Sequence, residues 1–313
     1  SRIDYPLWKK LSIPMLFGML LLLVMVLVPG LGVAAKGARR WLRVGPISMQ
    51  PAEMVKLVTV IYIAAYLTKK GDKITSFREG LLPALIVLGL LSGLVLLEPD
   101  LGTVVVLGLV TVGMCFLAGA RVAHLLTLGL CAIPVVLVLV LGSSYRRQRL
   151  MTFLSPWKDA GDAGFQITQS FLAFGSGGPF GVGLGGGKQK LYFLPEAHTD
   201  FVLALVGEEL GLVGTVTVIL LFAVFFWRGF QIATRARVPF GRYLGMGITL
   251  LIGGQALVNA AVVTGLLPTK GLTLPFVSYG GSSLVVSLIG VGVLLSISRD
   301  RHAGGSRGGS DHE

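Results

Sequence analysis

Eight stretches of this chain are apolar for long enough to cross a membrane, and no other property narrows its possible folds so far. A hydrocarbon core of about 30 Å takes about 20 helical residues to cross. The runs are Leu11 to Pro29, Ala52 to Leu67, Leu81 to Leu97, Leu101 to Gly119, Ala123 to Leu141, Phe201 to Trp227, Tyr243 to Leu267 and Leu284 to Ile297. Alternating ten-residue strands do not recur, and backbone in lipid must satisfy its own hydrogen bonds, so the expectation is a helical bundle rather than a barrel. With 53% hydrophobic and only 13% charged residues, an ordinary soluble domain is excluded. The fold class expected is an all-α polytopic membrane protein with eight transmembrane helices. Residues 1–298 are read as a single integral membrane domain with a large extracytoplasmic loop at about 142–199. The glycine-rich polar tail, 299–313, is expected to be disordered and cytoplasmic. The chain opens at SRIDYPLWKK, without a methionine, which leaves room for further helices upstream.

A net charge of +12 invites a nucleic-acid reading, but topology gives a simpler account. With the N-terminus cytoplasmic, the short inside segments carry fifteen Lys and Arg, among them Arg228, Arg235, Arg237 and Arg242. The much longer outside segments carry eleven. That density follows the positive-inside rule, so no nucleic-acid partner is expected. The outside residues are nevertheless clustered: Lys36, Arg39, Arg40 and Arg43 in one loop, and Arg146, Arg147, Arg149, Lys158, Lys188 and Lys190 in another. Basic clusters on the disfavoured face point to anionic headgroups or to an anionic substrate. Cys115 and Cys131 both fall within spans, so there is neither a disulfide framework nor a cysteine-rich metal site.

The long loop contains GSGGPFGVGLGGGK, from Gly175 to Lys188. It matches GxGxxG at Gly181, Gly183 and Gly186, but no strand precedes it and no βαβ unit surrounds it, so a dinucleotide site is excluded. A flexible or tightly turning loop is expected. Contact between its backbone amides and phosphate oxygens is the alternative.

Ionisable groups at membrane depth are costly and usually face a cavity or a partner. Glu53 and Lys56 lie three residues apart at the start of a span, on one helical face, and are expected to pair. The pair is either a lock between helices or part of a polar wall from which Lys56 meets an anion. In EPD, Glu98 to Asp100, Pro99 ends one helix and Asp100 can cap the next. PEAHTDF, Pro195 to Phe201, gathers Glu196, His198 and Asp200 at the entrance to a span. Helix capping explains one acid there, not the cluster. Asp200, opposite loops rich in Arg and Lys, suits a general base with an anionic substrate. Glu208, on the same helical flank as Asp200, is expected to line the same cavity, and Glu209 to pair with another helix. The last outside turn, PTKGLTLPFVSYGGSS, sets Lys270 and Ser278 on a segment shaped by two prolines.

Taken together, GARRWLRVG (Gly37 to Gly45), QPAEMVK (Gln50 to Lys56), EPDLG (Glu98 to Gly102), FLPEAHTDFVLALVGEELG (Phe193 to Gly211) and PTKGLTLPFVSYGGSS (Pro268 to Ser283) resemble the SEDS family of bacterial cell-wall polymerases. PEAHTD with PTKGLTLP is more similar to its division branch than to its elongation branch. The resemblance spans the chain and implies a family fold of ten membrane helices, of which this chain is expected to supply the last eight.

What the resemblance implies is a peptidoglycan glycosyltransferase that polymerises lipid II at the outer face of the bacterial cytoplasmic membrane, in septal cell-wall synthesis. Carried over by motif, Asp200 is the essential acid, Trp41 the loop tryptophan, Glu53 and Lys56 the interhelical pair, and Lys270 the lysine of the last turn. Arg39, Arg40, Lys56 and Lys270 are candidates to neutralise a pyrophosphate leaving group, and Glu196, His198 and Ser278 to complete the substrate site. His198 is the alternative base. No cofactor is required by these motifs, although a divalent cation, magnesium or manganese, is a further way to neutralise pyrophosphate. The implied partners are lipid II, a single-pass class B penicillin-binding protein and other membrane proteins of the division machinery. Two rival classes remain: a lipid II flippase without chemistry, and a scaffold that only activates the transpeptidase.

Overall fold

The computed structural model describes residues 4–35, 38–158, 164–189, 198–269 and 271–303. Among these residues the helices are α1 (Pro6–Leu27), α2 (Pro51–Lys70), α3 (Leu82–Leu97), α4 (Leu101–Leu117), α5 (Val122–Leu141), α6 (Ser144–Leu154), α7 (Phe165–Gly177), α8 (Val202–Thr234), α9 (Pro239–Val263) and α10 (Gly281–Ala303). Seven are long and apolar enough to cross a membrane, and α4 is a shorter apolar helix of 17 residues. Each of the eight expected spans therefore coincides with a helix. The remaining two, α6 and α7, occupy the segment expected as a long loop. Packing divides the chain into two compact units.

The first unit comprises residues 1–125, 225–254 and 281–313. Proline at the first turn starts α1, α2 and α3, where a missing N–H costs nothing. The core joins Leu16, Met19 and Leu23 of α1 to Val55 and Val58 of α2, Leu91 and Val95 of α3, and Leu107 of α4. Most of α2 is buried, including its polar residues Glu53, Lys56 and Thr59.

Between α1 and α2 the chain is not a simple loop but a three-stranded antiparallel sheet. Its strands are β1 (Gly32–Ala35), β2 (Ala38–Val44) and β3 (Ile47–Met49), in the order β1-β2-β3. An all-α reading omits it. Val44 pairs with Ile47 across the two residues Gly45 and Pro46, and Gly45 takes a φ of 61°, as tight hairpin turns that open on glycine require. Along β2, Leu42 is buried and Arg43 exposed, in keeping with the strand's two-residue period.

The second unit comprises residues 126–224 and 255–280. Its core brings together Ala173 of α7, Phe201, Leu203 and Ala204 at the start of α8, Ala256 and Val263 of α9, and Leu274. Ser170 ties α7 to the end of α9 by donating to the Val263 carbonyl at 2.8 Å.

Within this unit α8 is broken at Gly211, whose φ of 67° and ψ of −160° interrupt the helical ladder. The glycine-rich segment repairs the break. Leu212 and Val213 N–H donate to the carbonyls of Gly178 and Pro179 at 2.9 and 3.2 Å, while Val182 and Gly183 N–H donate to the carbonyls of Glu208 and Glu209 at 3.0 and 3.1 Å. Irregular backbone at membrane depth survives only when protein satisfies it. The approach is too close for side chains: a Cβ on Gly181 would lie 2.1 Å from the Glu209 carbonyl oxygen. The glycines thus serve backbone-to-backbone contact rather than flexibility.

This arrangement bears on two readings of the sequence. The amides at the end of the glycine-rich segment meet a carboxylate of the protein itself: Lys188 N–H donates to Glu208 at 2.8 Å and Gln189 N–H donates to both Glu208 oxygens at 3.2–3.3 Å. Glu208 is buried and holds this segment. Glu209 packs its side chain beside Gly187.

Candidate functional site

In the second unit the segment leading into α8 lies along the α9–α10 connection, and the two are sewn together through main-chain carbonyls. His198 O accepts from Tyr279 N–H at 2.8 Å. Thr199 O accepts a short hydrogen bond from the Ser278 hydroxyl. Asp200 O accepts from the Asn259 side-chain amide at 2.9 Å. The same amide donates to Leu272 O at 2.6 Å, and four residues earlier on α9 Gln255 donates to Thr273 O at 2.9 Å. Ser278 also accepts from Leu274 N–H at 2.7 Å. Between these two residues Phe276 holds a left-handed φ of 66°, a strained conformation for a bulky side chain that the surrounding bonds must maintain.

These bonds bring His198, Asp200 and Ser278 together. His198 is exposed and Asp200 half-buried. On the opposing segment, the bare Cα of Gly271 faces the Asp200 carboxylate: a Cβ there would lie 3.1 Å from Oδ2. Glu196 and Lys270 lie outside the described residues.

In the first unit Lys56 Nζ and Glu53 Oε1 form an ion pair at 2.8 Å, with the lysine side chain 1% exposed. This bears out the expected pairing at the N-terminal end of α2. Just ahead of it, Gln50 N–H donates to Ser282 Oγ at 3.1 Å, which fixes the entrance of α2 against the start of α10. Arg40 reaches from β2 to the α3–α4 hinge, with Nε on Glu98 O and Nη2 on Pro99 O, both at 2.7 Å. Asp100 caps α4 as expected, taking the N–H and the hydroxyl of Thr103 at 3.0 and 2.9 Å. Arg39 is exposed and Trp41 half-buried on β2, at positions of the opposite parity to Arg40.

Glu98 is the electrostatic anomaly of this unit. It is fully buried, and neither carboxyl oxygen has a hydrogen-bond partner among the described residues. Burial pushes its pKa up to about 8, the Asp100 charge adds to the rise, and Arg40 opposes it. A carboxyl in that range holds its proton near neutral pH.

The family model for FtsW, RodA and SpoVE, described as a cell cycle protein, matches residues 1–303. The chain belongs to this family. A probable peptidoglycan glycosyltransferase FtsW from Geobacter sulfurreducens is 50% identical over 297 residues, covering 95% of this chain and 80% of that protein. Stage V sporulation protein E of Bacillus subtilis is 45% identical over 302 residues, covering 95% and 81%. Among solved structures, a chain of a peptidoglycan synthase complex, described for its coordination of polymerization and crosslinking, superposes with a TM-score of 0.80. It is 32% identical and covers 96% of this chain and 84% of that one. The all-α polytopic fold is thus an FtsW/RodA/SpoVE fold, and the chain is FtsW-like within it.

Reading this FtsW-like sequence through its ionisable residues passed over Gln255 and Asn259. Both are buried, and their spacing of four puts them on one face of an apolar span. Uncharged amides inside a membrane helix were the available signal.

Proposed function

We propose that the chain is a peptidoglycan glycosyltransferase which polymerises lipid II into β-1,4-linked glycan strands at the outer face of the cytoplasmic membrane, with Asp200 as its general base. Membership of the family over almost the whole chain supports the reaction class. The assignment of Asp200 rests on one observation: the carbonyls of His198, Thr199 and Asp200 are each held by a separate hydrogen bond at the mouth of a span. A helix cap needs no such arrangement.

In this reading Asp200 takes the proton of the GlcNAc 4-hydroxyl as that oxygen attacks C1 of the MurNAc unit. The new C1–O4 bond forms with inversion as the bond to the undecaprenyl pyrophosphate breaks, and the proton remains on Asp200. General-base action of this kind contributes about 10² to 10⁴ in rate. Pyrophosphate leaves as a stable anion and needs its charge met rather than a strong acid. Lys270 and Arg39 are proposed for that role. Lys56 is neutralised by Glu53 and Arg40 is engaged at the hinge, so both act first as structural cations. Ser278, whose hydroxyl bridges Thr199 and Leu274, and Glu196, His198 and Trp41 are proposed to shape the substrate site. Among the described residues no three His, Cys, Asp or Glu side chains gather to hold a metal ion. They do not form a protein cage for a divalent cation, and no step here runs through one.

Septal wall synthesis, a single-pass class B penicillin-binding protein as the crosslinking partner, and further division proteins are proposed from the FtsW-like relatives. The test is gel-resolved polymerisation of purified lipid II, with and without the transpeptidase. Wild-type protein is expected to yield glycan ladders, and Asp200→Ala none while remaining folded. Lipid II translocation without polymer would instead support a flippase.

A further inference from the structure

We propose that Asn259 is a positioning residue that sets the Asp200 carboxylate against the bare Cα of Gly271. The inference rests on the reading of Asp200 as the base. Both partners of the Asn259 amide are carbonyl oxygens, Asp200 O and Leu272 O. Only its NH₂ end can face them, which fixes the amide's orientation. The cost is visible: Asn259 Oδ1 is buried with no partner among the described residues. A buried amide usually satisfies both its ends. This one leaves its oxygen unpaired and spends both N–H groups joining the residue that carries the acid to the opposing segment.

Asn259 bonds the residue immediately after Gly271, so the register it enforces is the one that brings Gly271 and Asp200 face to face. Gly271 has no left-handed φ to require glycine and is exposed. Its lack of a side chain is explained by what lies opposite, since a methyl 3.1 Å from Asp200 Oδ2 would push the carboxylate aside. Asn259 therefore acts through Asp200 and is not itself a catalytic residue.

Two readouts test this. In lipid II polymerisation by the full chain, Asn259→Leu is expected to lower kcat by about tenfold to a hundredfold, the effect of an ångström-scale misplacement, with KM nearly unchanged. Asn259→Gln keeps the donors on a longer arm and is expected to fall between Asn259→Leu and wild type. Gly271→Ala is expected to lower kcat by about tenfold with no change in thermal midpoint. The second readout needs no catalysis. With Cys115 and Cys131 replaced by serine, the pair Asp200→Cys and Gly271→Cys should oxidise readily to a disulfide, and adding Asn259→Leu should slow that cross-linking several-fold.

Wild-type kcat and unchanged cross-linking in a folded Asn259→Leu protein would overturn the proposal. Should that variant not fold, full activity of Asn259→Gln together with full activity of Gly271→Ala would do the same. If Asp200→Ala keeps polymerising, the base reading falls and takes the catalytic meaning of Asn259 with it. That outcome is distinct from an inactive Asp200→Ala beside a fully active Asn259→Leu, which overturns the Asn259 proposal alone.

Discussion

Glu208 and Glu98 are both buried acids, 2% and 0% exposed, yet the fold meets them in opposite ways. Glu208 receives the backbone N–H groups of Lys188 and Gln189, so the protein supplies the dipoles that water would have given. Neither carboxyl oxygen of Glu98 has a hydrogen-bond partner among the described residues, and burial raises its pKa so that it holds its proton. Glu53 shows a third answer, a lysine at 2.8 Å. Asp200 differs from all three in reaching partial exposure, on a main chain that the Asn259 amide holds in place. A half-exposed acid on a fixed backbone is suited to chemistry; Glu208, buried with its carboxylate on the amides of Lys188 and Gln189, is suited to holding a segment in place.

The largest stability effect is expected at Glu53. Glu53→Ala strands a lysine that is 1% exposed, and breaking a buried pair costs about 3 kcal/mol. Thermal unfolding in detergent should show a clear drop in midpoint together with loss of activity, whereas lost activity at unchanged midpoint would argue for direct contact with substrate. Next comes Glu208→Ala, which takes a charged acceptor from the part-buried N–H groups of Lys188 and Gln189 at a cost of about 2 kcal/mol. Faster proteolysis or hydrogen exchange in the glycine-rich segment is the expected signature, and Glu208→Gln, which retains one oxygen acceptor, should lose less. If Glu208→Ala left that segment as protected as in wild type, the contrast with Glu98 would collapse.

Smallest, read per pH unit, is the pH dependence from Glu98. Its pKa is raised from 4.5 to about 8 in the folded protein, so the folded state binds the proton more tightly than the unfolded chain. That contribution is complete below about pH 4.5 and lost as pH rises towards 8, at up to about 1.4 kcal/mol per pH unit. The thermal midpoint should therefore fall between pH 5 and 8 and level off above. Glu98→Gln, which cannot ionise, is expected to flatten that slope and to be the more stable protein at pH 8.

Features governed by local pattern were legible in the sequence. The spans follow from runs of about 20 apolar residues, the Glu53–Lys56 pair from a spacing of three on a helix, and the Asp100 cap from its place between Pro99 and an apolar run. The sheet at 32–49 was missed because β2 mixes arginine, tryptophan and alanine, although Gly45-Pro46 marked its hairpin. What could not be read was long-range backbone pairing. Nothing in GSGGPFGVGLGGGK says that its amides and carbonyls repair a break at Gly211, and nothing in GEELG says that Glu208 faces Lys188. The Asn259 contacts to Asp200 and Leu272 were hidden for a different reason, since uncharged amides carry no conspicuous cost in composition.

The account depends most directly on Asp200 being the base, and the decisive measurement is kcat for lipid II polymerisation by Asp200→Asn at saturating substrate, alongside its thermal midpoint. The substitution keeps size and shape while removing the carboxylate's charge and its ability to accept a proton. A fall of about 10² to 10⁴ in kcat with an unchanged midpoint is the predicted result. A folded Asp200→Asn protein that polymerises lipid II at the wild-type rate would contradict it.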